Sequence, residues 1–254
     1  MSFGYQILGF GSSAAPRELV LDVTSNTTDV NVLTLATAAG YNASTDTTPI
    51  VLNIASGVDV VGSSGDPGII TGALNAASPL TINVASGASV CGFDGAQGSN
   101  GGTNSAGSAG GDGTDAIRFN ISSGTGTYSV VNSGTIGGGS GGGGGAGGPG
   151  SAGARATAND DGKGNYTCGP GNTYGSAGSA GSAGSSGTSC QAQNGTNGTA
   201  GSPGSVGPNN GCGVTVGAGS GGAGGSGGTA GKAVNKGGLT VTTSGSGTYH
   251  GATS

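Results

Sequence analysis

Glycine recurs at every third position through five stretches of this chain, a pattern that packing of apolar side chains does not produce. Gly95, Gly98 and Gly101, then Gly107, Gly110 and Gly113, hold one phase, interrupted by Asn104. Gly138 to Gly153, Gly175 to Gly187, Gly195 to Gly207 and Gly219 to Gly231 repeat it. Three residues per turn is the period of a polyproline II helix, so each run carries a continuous glycine stripe along an extended rod. A 13-residue run at about 3.1 Å per residue is roughly 40 Å long.

Composition narrows the alternatives. With 64 Gly, no Trp and 7% charged residues among 254, the second half has too little apolar side chain to offset the backbone entropy lost on ordering. A disordered linker has no need for phased glycines. A collagen triple helix needs far more than the 8 Pro present and an unbroken register. A bundle of short rods remains, their backbones close enough for N–H to C=O bonds between neighbours. The columns beside the stripe predict position. Gly139, Gly142, Gly145 and Gly148 give the second run a second glycine column, as Gly221, Gly224 and Gly227 do the fifth, so those two rods can be surrounded on most sides, whereas 175–187 has glycine in one column only, with serines in another, and belongs in the outer layer.

The expected fold is mostly β and irregular with almost no α-helix: an N-terminal β region of solenoid-like strand repeats, then a polyglycine II bundle. Residues 1–18 form an apolar segment, 19–94 a β domain, 95–231 the bundle with a β insertion at 114–137, and 232–254 a C-terminal β segment that folds back. Strand patterns lie at Leu19 to Val23, Val30 to Leu35 and Ile50 to Ile54. Pro49-Ile-Val-Leu-Asn-Ile-Ala-Ser-Gly57 recurs 30 residues on as Pro79-Leu-Thr-Ile-Asn-Val-Ala-Ser-Gly87, with weaker echoes at 118–124 and 239–245. Repeats of this length suggest stacked units that complete each other's apolar faces.

Chemistry for catalysis is sparse: one His, His250, and one Glu, Glu18, allow no acid–base pair, so no enzyme, cofactor or metal site is expected. The loop from Asn159 to Asn165 lacks the oxygen spacing of an EF-hand. Scattered basic residues and a net charge of −5 argue against nucleic acid. No segment reaches transmembrane length, and the N-terminus lacks the basic region of a signal peptide. Phe3, Tyr5, Ile7, Leu8 and Phe10 cluster there, either as a frayed tail or as an apolar docking segment for another protein.

Recognition is expected in the loops. Residues 154–174 hold Arg155, Asp160, Asp161, Lys163, Asn165, Tyr166, Asn172 and Tyr174, a mixture of tyrosine, charge and amide that offers large contact area with little entropy to lose. Asn209 and Asn210 in 208–218 belong beside them. Capping of the bundle end by the tyrosines is the plainer reading, but it does not call for the four charges. Cys91, Cys168, Cys190 and Cys212 form no zinc-type spacing. If consecutive rods alternate in direction, Cys168 and Cys212 emerge at one end and form a bridge, with Cys190 at the other end, nearer Cys91.

Gly101-Gly-Thr-Asn-Ser-Ala-Gly-Ser-Ala-Gly-Gly111, Ile117 to Ile121, Val131-Asn-Ser-Gly-Thr-Ile-Gly-Gly-Gly139 and the run after it resemble the glycine-rich adhesin at the tip of T-even bacteriophage long tail fibres. Pro49 to Ile54 is also similar; the resemblance covers 49–231. It implies a polyglycine II sandwich on a virion receptor-binding protein, with 154–174, 188–194 and 208–218 as segments that contact an outer-membrane protein or surface glycan of the host. Residues 1–48 do not resemble that family's attachment domain, so a long fibre, tail tip or capsid stays open as the attachment point. The rival readings are a virion decoration protein without a receptor and an ice-binding protein using the Ser/Ala face of 175–187.

Overall fold

The computed structural model describes residues 18–160, 166–174, 176–182, 187, 190–205 and 211–254, with the backbone alone described in 154–160, 166–174 and 211–216. The protein is mostly β, with parallel sheets and one short helix among these residues.

Alternation of apolar and polar residues sets the first sheet. In β4 (Ile50–Ile54), Ile50, Leu52 and Ile54 are buried, and Leu80, Ile82 and Val84 repeat this in β7 (Leu80–Val84). These strands join β1 (Leu19–Val23), β10 (Tyr128–Asn132) and β16 (Val241–Ser244) in the order β1-β4-β7-β10-β16, every pair parallel. A second parallel sheet holds β2 (Thr27–Thr28), β5 (Asp59–Val61), β8 (Ser89–Cys91), β11 (Thr135–Gly137) and β17 (Thr248–His250). A third holds β3 (Val30–Asn31), β6 (Ile69–Ile70), β9 (Ile117–Arg118) and β15 (Val234–Asn235).

Each turn of chain visits the sheets in the same order: β1-β2-β3, β4-β5-β6, β7-β8-β9, β10-β11-β15, then β16-β17. The 30-residue repeat is one such turn, since Ile50 pairs with Leu80 and Asp59 with Ser89. Leu52, Val60, Ile69, Leu80, Ile82, Val90, Ile117, Ile136 and Val234 fill the space between the sheets, each at most 1% exposed. Full burial of such a side chain contributes about 1.5–3 kcal/mol, and this is the apolar core that the glycine segments lack.

Two local expectations differ. Only Val30–Asn31 of the segment to Leu35 is strand; Val32–Ala38 is the helix α1. Asn31, extended at φ −107°, accepts from the Thr34 N–H, an N-cap that turns the chain, and the buried Val32 and Ala36 sit four residues apart on one helical face. The echo at 118–124 does not lie in the first sheet. The strand in register with Leu80 begins at Tyr128, whose ring takes the leucine's place in the core and whose hydroxyl donates to Ala76 O at 2.7 Å.

The glycine segments enter as two excursions from the turns. Residues 92–116 connect β8 to β9, and 138–233 connect β11 to β15. Both leave the second sheet and return to the third, so 114–137 is not an insertion in a bundle but part of the continuous β framework. Segment 138–150 lies at the centre, with Gly138 to Gly148 buried throughout. Every third N–H pairs outward or inward. Gly95, Gly98 and Gly101 donate to Ser140, Gly143 and Ala146; Gly222, Gly225 and Gly228 donate to Gly148, Gly145 and Gly142; Gly144 and Gly147 donate to Thr196 and Thr199. The order of these partners makes successive segments alternate in direction.

Its two glycine columns face different neighbours. A Cβ on Gly141, Gly144 or Gly147 would lie 2.0 Å from the carbonyl oxygens of Gly228, Gly225 or Gly222, and one on Gly142 or Gly145 would lie 2.0 or 1.9 Å from those of Ala96 or Ser99. Ser176, Ser179 and Ser182 are exposed, but their backbones pair with Ser205, Ser202 and Thr199, and Ser179 Oγ lies 2.9 Å from Ser202 Oγ. The serine column is thus exposed and also adjoins a neighbouring segment.

Candidate functional site

The segments converge at the end away from the three parallel sheets. Gly153 donates to Ser205 and Gly219 to Ser151, and just beyond them the chain forms a separate antiparallel sheet of β12 (Ala154–Asp160), β13 (Tyr166–Tyr174) and β14 (Gly211–Val216), in the order β13-β12-β14. Arg155 stands opposite Thr173 on one side and Thr215 on the other, and a register shift between Arg155 and Thr157 bends the strand there. Asn172 lies in the stretch of β13 that absorbs this shift.

Tyr166 and Tyr174 occupy opposite ends of β13, paired with Asp160 and Ala154 respectively. At about 3.3 Å per residue they are roughly 26 Å apart along the strand, so they do not form one patch. Asp161, Lys163, Asn165, Asn209 and Asn210 lie outside the described residues, as do Phe3, Tyr5, Ile7, Leu8 and Phe10. β14 does bring the 208–218 segment beside 154–174.

Residues 190–194 are not at this tip. Ala192 donates to Gly138 and Gly141 donates to Gln193, and Cys190 is bridged to Cys91 at the end of β8, all at the framework end. Cys168 in β13 and Cys212 in β14 flank β12; their side chains, and so the expected bridge between them, are outside the described residues.

The base of the excursions is set by a polar hub. Asp115, 6% exposed, accepts from Arg118 Nε at 2.8 Å, Asn235 Nδ2 at 2.9 Å and the Lys232 N–H at 3.0 Å. Burial alone pushes its carboxyl up, but these donors and the Arg118 charge outweigh it and hold the group below its ordinary value.

A further group of residues has a role that composition does not announce. Asp94 and Asn100 accept from the N–H groups of Ser140 and Ala146, Asn104 from Ser151, Asp112 from Thr229, and Asn194 and Asn197 from Ala230 and Gly227, at 2.7 to 2.9 Å. These side chains satisfy backbone donors that no neighbouring segment reaches. Their signal was in the sequence: Asp94, Asn100, Asp112, Asn194 and Asn197 each immediately precede a stripe glycine.

Among the described residues no cluster of three or more His, Cys, Asp or Glu could hold a metal ion, and no helix is long and apolar enough to cross a membrane.

A parallel β framework thus carries hydrogen-bonded glycine segments that lead to a small separate antiparallel sheet. Residues 18–254 match the family model of the phage tail fibre adhesin Gp38, and the chain belongs to that family. It is thus a bacteriophage tail fibre adhesin, a virion protein of host attachment. The crystal structure of the gp37-gp38 adhesin tip complex of the bacteriophage S16 long tail fiber is similar at 20% identity, with 90% of this chain and 78% of that chain covered and a TM-score of 0.37. No curated protein matches.

Proposed function

We propose that the chain is the receptor-binding tip of a phage tail fibre, in which the parallel sheets form a solenoid frame, the glycine segments a polyglycine II stalk, and β12, β13 and β14 with their connections the surface that recognises a host outer-membrane protein or surface glycan. One observation carries this reading: the chain leaves the framework, travels the length of the stalk and there builds a separate antiparallel sheet, although the framework has no need of it. A rigid stalk with irregular chain at its free end presents recognition residues with little entropy left to lose. Arg155, Asp160, Tyr166, Asn172 and Tyr174 are the proposed contacts within that sheet.

The other end docks to the virion. Val20, 50% exposed on β1 at the edge of the first sheet, and Leu35, 36% exposed on α1, are with residues 1–18 the proposed surface for a fibre protein. The role is recognition without a chemical step, consistent with a single His and a single Glu.

The test is binding of labelled protein to a panel of Gram-negative cells, with Tyr166→Ala/Tyr174→Ala in parallel. Binding to particular strains that is lost in the folded double variant supports the tip. Binding retained by the variant moves the site off the tyrosines, and absence of binding to a proven host of the phage favours a decoration protein.

A further inference from the structure

Five of the side chains that complete outer backbone donors, those of Asp94, Asn100, Asp112, Asn194 and Asn197, are each followed by a stripe glycine. The packing demands that glycine: a Cβ built on Gly195 or Gly198 would lie 2.0 or 2.1 Å from the carbonyl oxygen of Gly142 or Gly145. Three of the pairs are therefore Asn–Gly, beginning at 100, 194 and 197; a fourth begins at Asn210, which lies outside the described residues.

Asn–Gly is the dipeptide whose side-chain amide is most open to attack by its own backbone. The glycine nitrogen adds to Cγ of the asparagine with no Cβ on the glycine to obstruct it; its proton passes to water, the side-chain nitrogen leaves as ammonia, and a five-membered imide remains. Water then opens the imide at either carbonyl and gives aspartate or isoaspartate. Asn100, Asn194 and Asn197 are exposed, so burial does not keep water and base from them.

Both reacting groups of each pair are instead committed to the neighbouring segment. Gly101 donates its N–H to Ala146 O at 2.8 Å, while Asn100 Oδ1 accepts from the N–H of the same Ala146 at 2.9 Å. Gly195 donates to Gly228 O at 2.9 Å and Asn194 accepts from Ala230 at 2.8 Å; Gly198 donates to Gly225 O at 2.8 Å and Asn197 accepts from Gly227 at 2.9 Å. For attack, the nitrogen must lose the proton that makes the first bond, and the carboxamide must swing onto that nitrogen, which breaks the second.

We infer that Asn100, Asn194 and Asn197 are deamidation sites held closed by this two-bond clamp, so that conversion is confined to chains whose glycine segments have separated there. The product then matters. Aspartate keeps the acceptor oxygen, but isoaspartate puts an extra methylene into the backbone, and the glycines beyond it no longer meet their partners at every third residue. A segment converted while open cannot close as before. None of this depends on what the tip binds.

The experiment holds the full chain in mildly alkaline buffer, with and without denaturing urea, and follows deamidation and isoaspartate at each Asn–Gly pair by peptide mass spectrometry. The folded chain should convert at Asn100, Asn194 and Asn197 at least about tenfold more slowly than the unfolded chain, because the rate follows the fraction of time the segments are open. Equal rates overturn the inference. Ala230→Pro then tests the clamp itself, since proline removes the N–H that Asn194 accepts and suits an extended segment. With amide protection at Gly222 and Gly225 kept, conversion should rise severalfold at Asn194 and stay at the parent rate at Asn100 and Asn197. Should Ala230→Pro lose that protection, Ala146→Pro makes the same test at Asn100, in a column that already holds Pro149. Conversion that stays slow at the freed asparagine, or rises equally at all three, overturns the inference.

Discussion

Asn83 donates its side-chain amide to Oδ1 of Asn53 at 2.9 Å, and Asn53 donates in turn to Asp22 at 2.8 Å. These residues stack one above another on the first sheet, because Asp22 pairs with Asn53 and Asn53 with Asn83 in register. A ladder of this kind ties three turns together on a face that the core does not reach. Asn53→Ala breaks both bonds and should lower stability by about 1 kcal/mol, read as a shift in the urea midpoint. Asn83→Ala, at the end of the ladder, should cost less.

Asn100 satisfies the N–H of Ala146, a residue only 3% exposed. Asn100→Ala leaves that donor buried and unpaired, at a cost of about 1–3 kcal/mol. Asn100→Asp keeps the acceptor oxygen and should recover most of the loss, and equal destabilisation by both variants would show that the oxygen is not what matters.

Gly145 and Gly102 test the close approach of backbones. A Cβ on Gly145 would lie 1.9 Å from Ser99 O, whereas one on Gly102 meets nothing within 4 Å. Gly145→Ala should force the central segment away from its neighbours, costing about 1–3 kcal/mol or more, with Gly102→Ala within about 0.5 kcal/mol of the parent. Thermal melts of the two variants side by side decide it.

Asp115 makes stability depend on acid. Its carboxyl is held below the ordinary value of 3.8 in the folded chain, so the unfolded chain takes up the proton first as pH falls. The contribution is therefore complete above that ordinary value and is lost as pH drops through the depressed folded one. Urea midpoints between pH 7 and pH 2.5 should fall less steeply for Asp115→Asn than for the parent, and parallel curves would mean that the hub does not titrate.

Much of the framework is legible in one dimension. The alternation of Ile50, Leu52 and Ile54 and its return at Leu80, Ile82 and Val84 foretell stacked parallel strands, since period two and a fixed repeat length are both local properties. Tyr128 broke the pattern because an aromatic can replace Leu80 when its hydroxyl finds a carbonyl, a partner that lies 52 residues away in Ala76. The helix at Val32 was masked by β-branched residues whose preference the Asn31 cap overrides. At the tip, composition singled out 154–174, but the spread of Tyr166 and Tyr174 to opposite ends of β13 depends on pairing that spacing does not encode.

The amino-acid sequence by itself determined that glycine columns would pack backbone on backbone and which of them could be enclosed, because the absence of a Cβ is a property of each residue alone. Only the tertiary structure decided that the columns leave a β framework at two adjacent turns, that Cys190 returns to Cys91, and that Asp94, Asn100 and Asn194 complete backbones far from them in sequence. Those are matters of which segments become neighbours, and a repeat that looks the same after every third residue cannot specify its own neighbour or its own register.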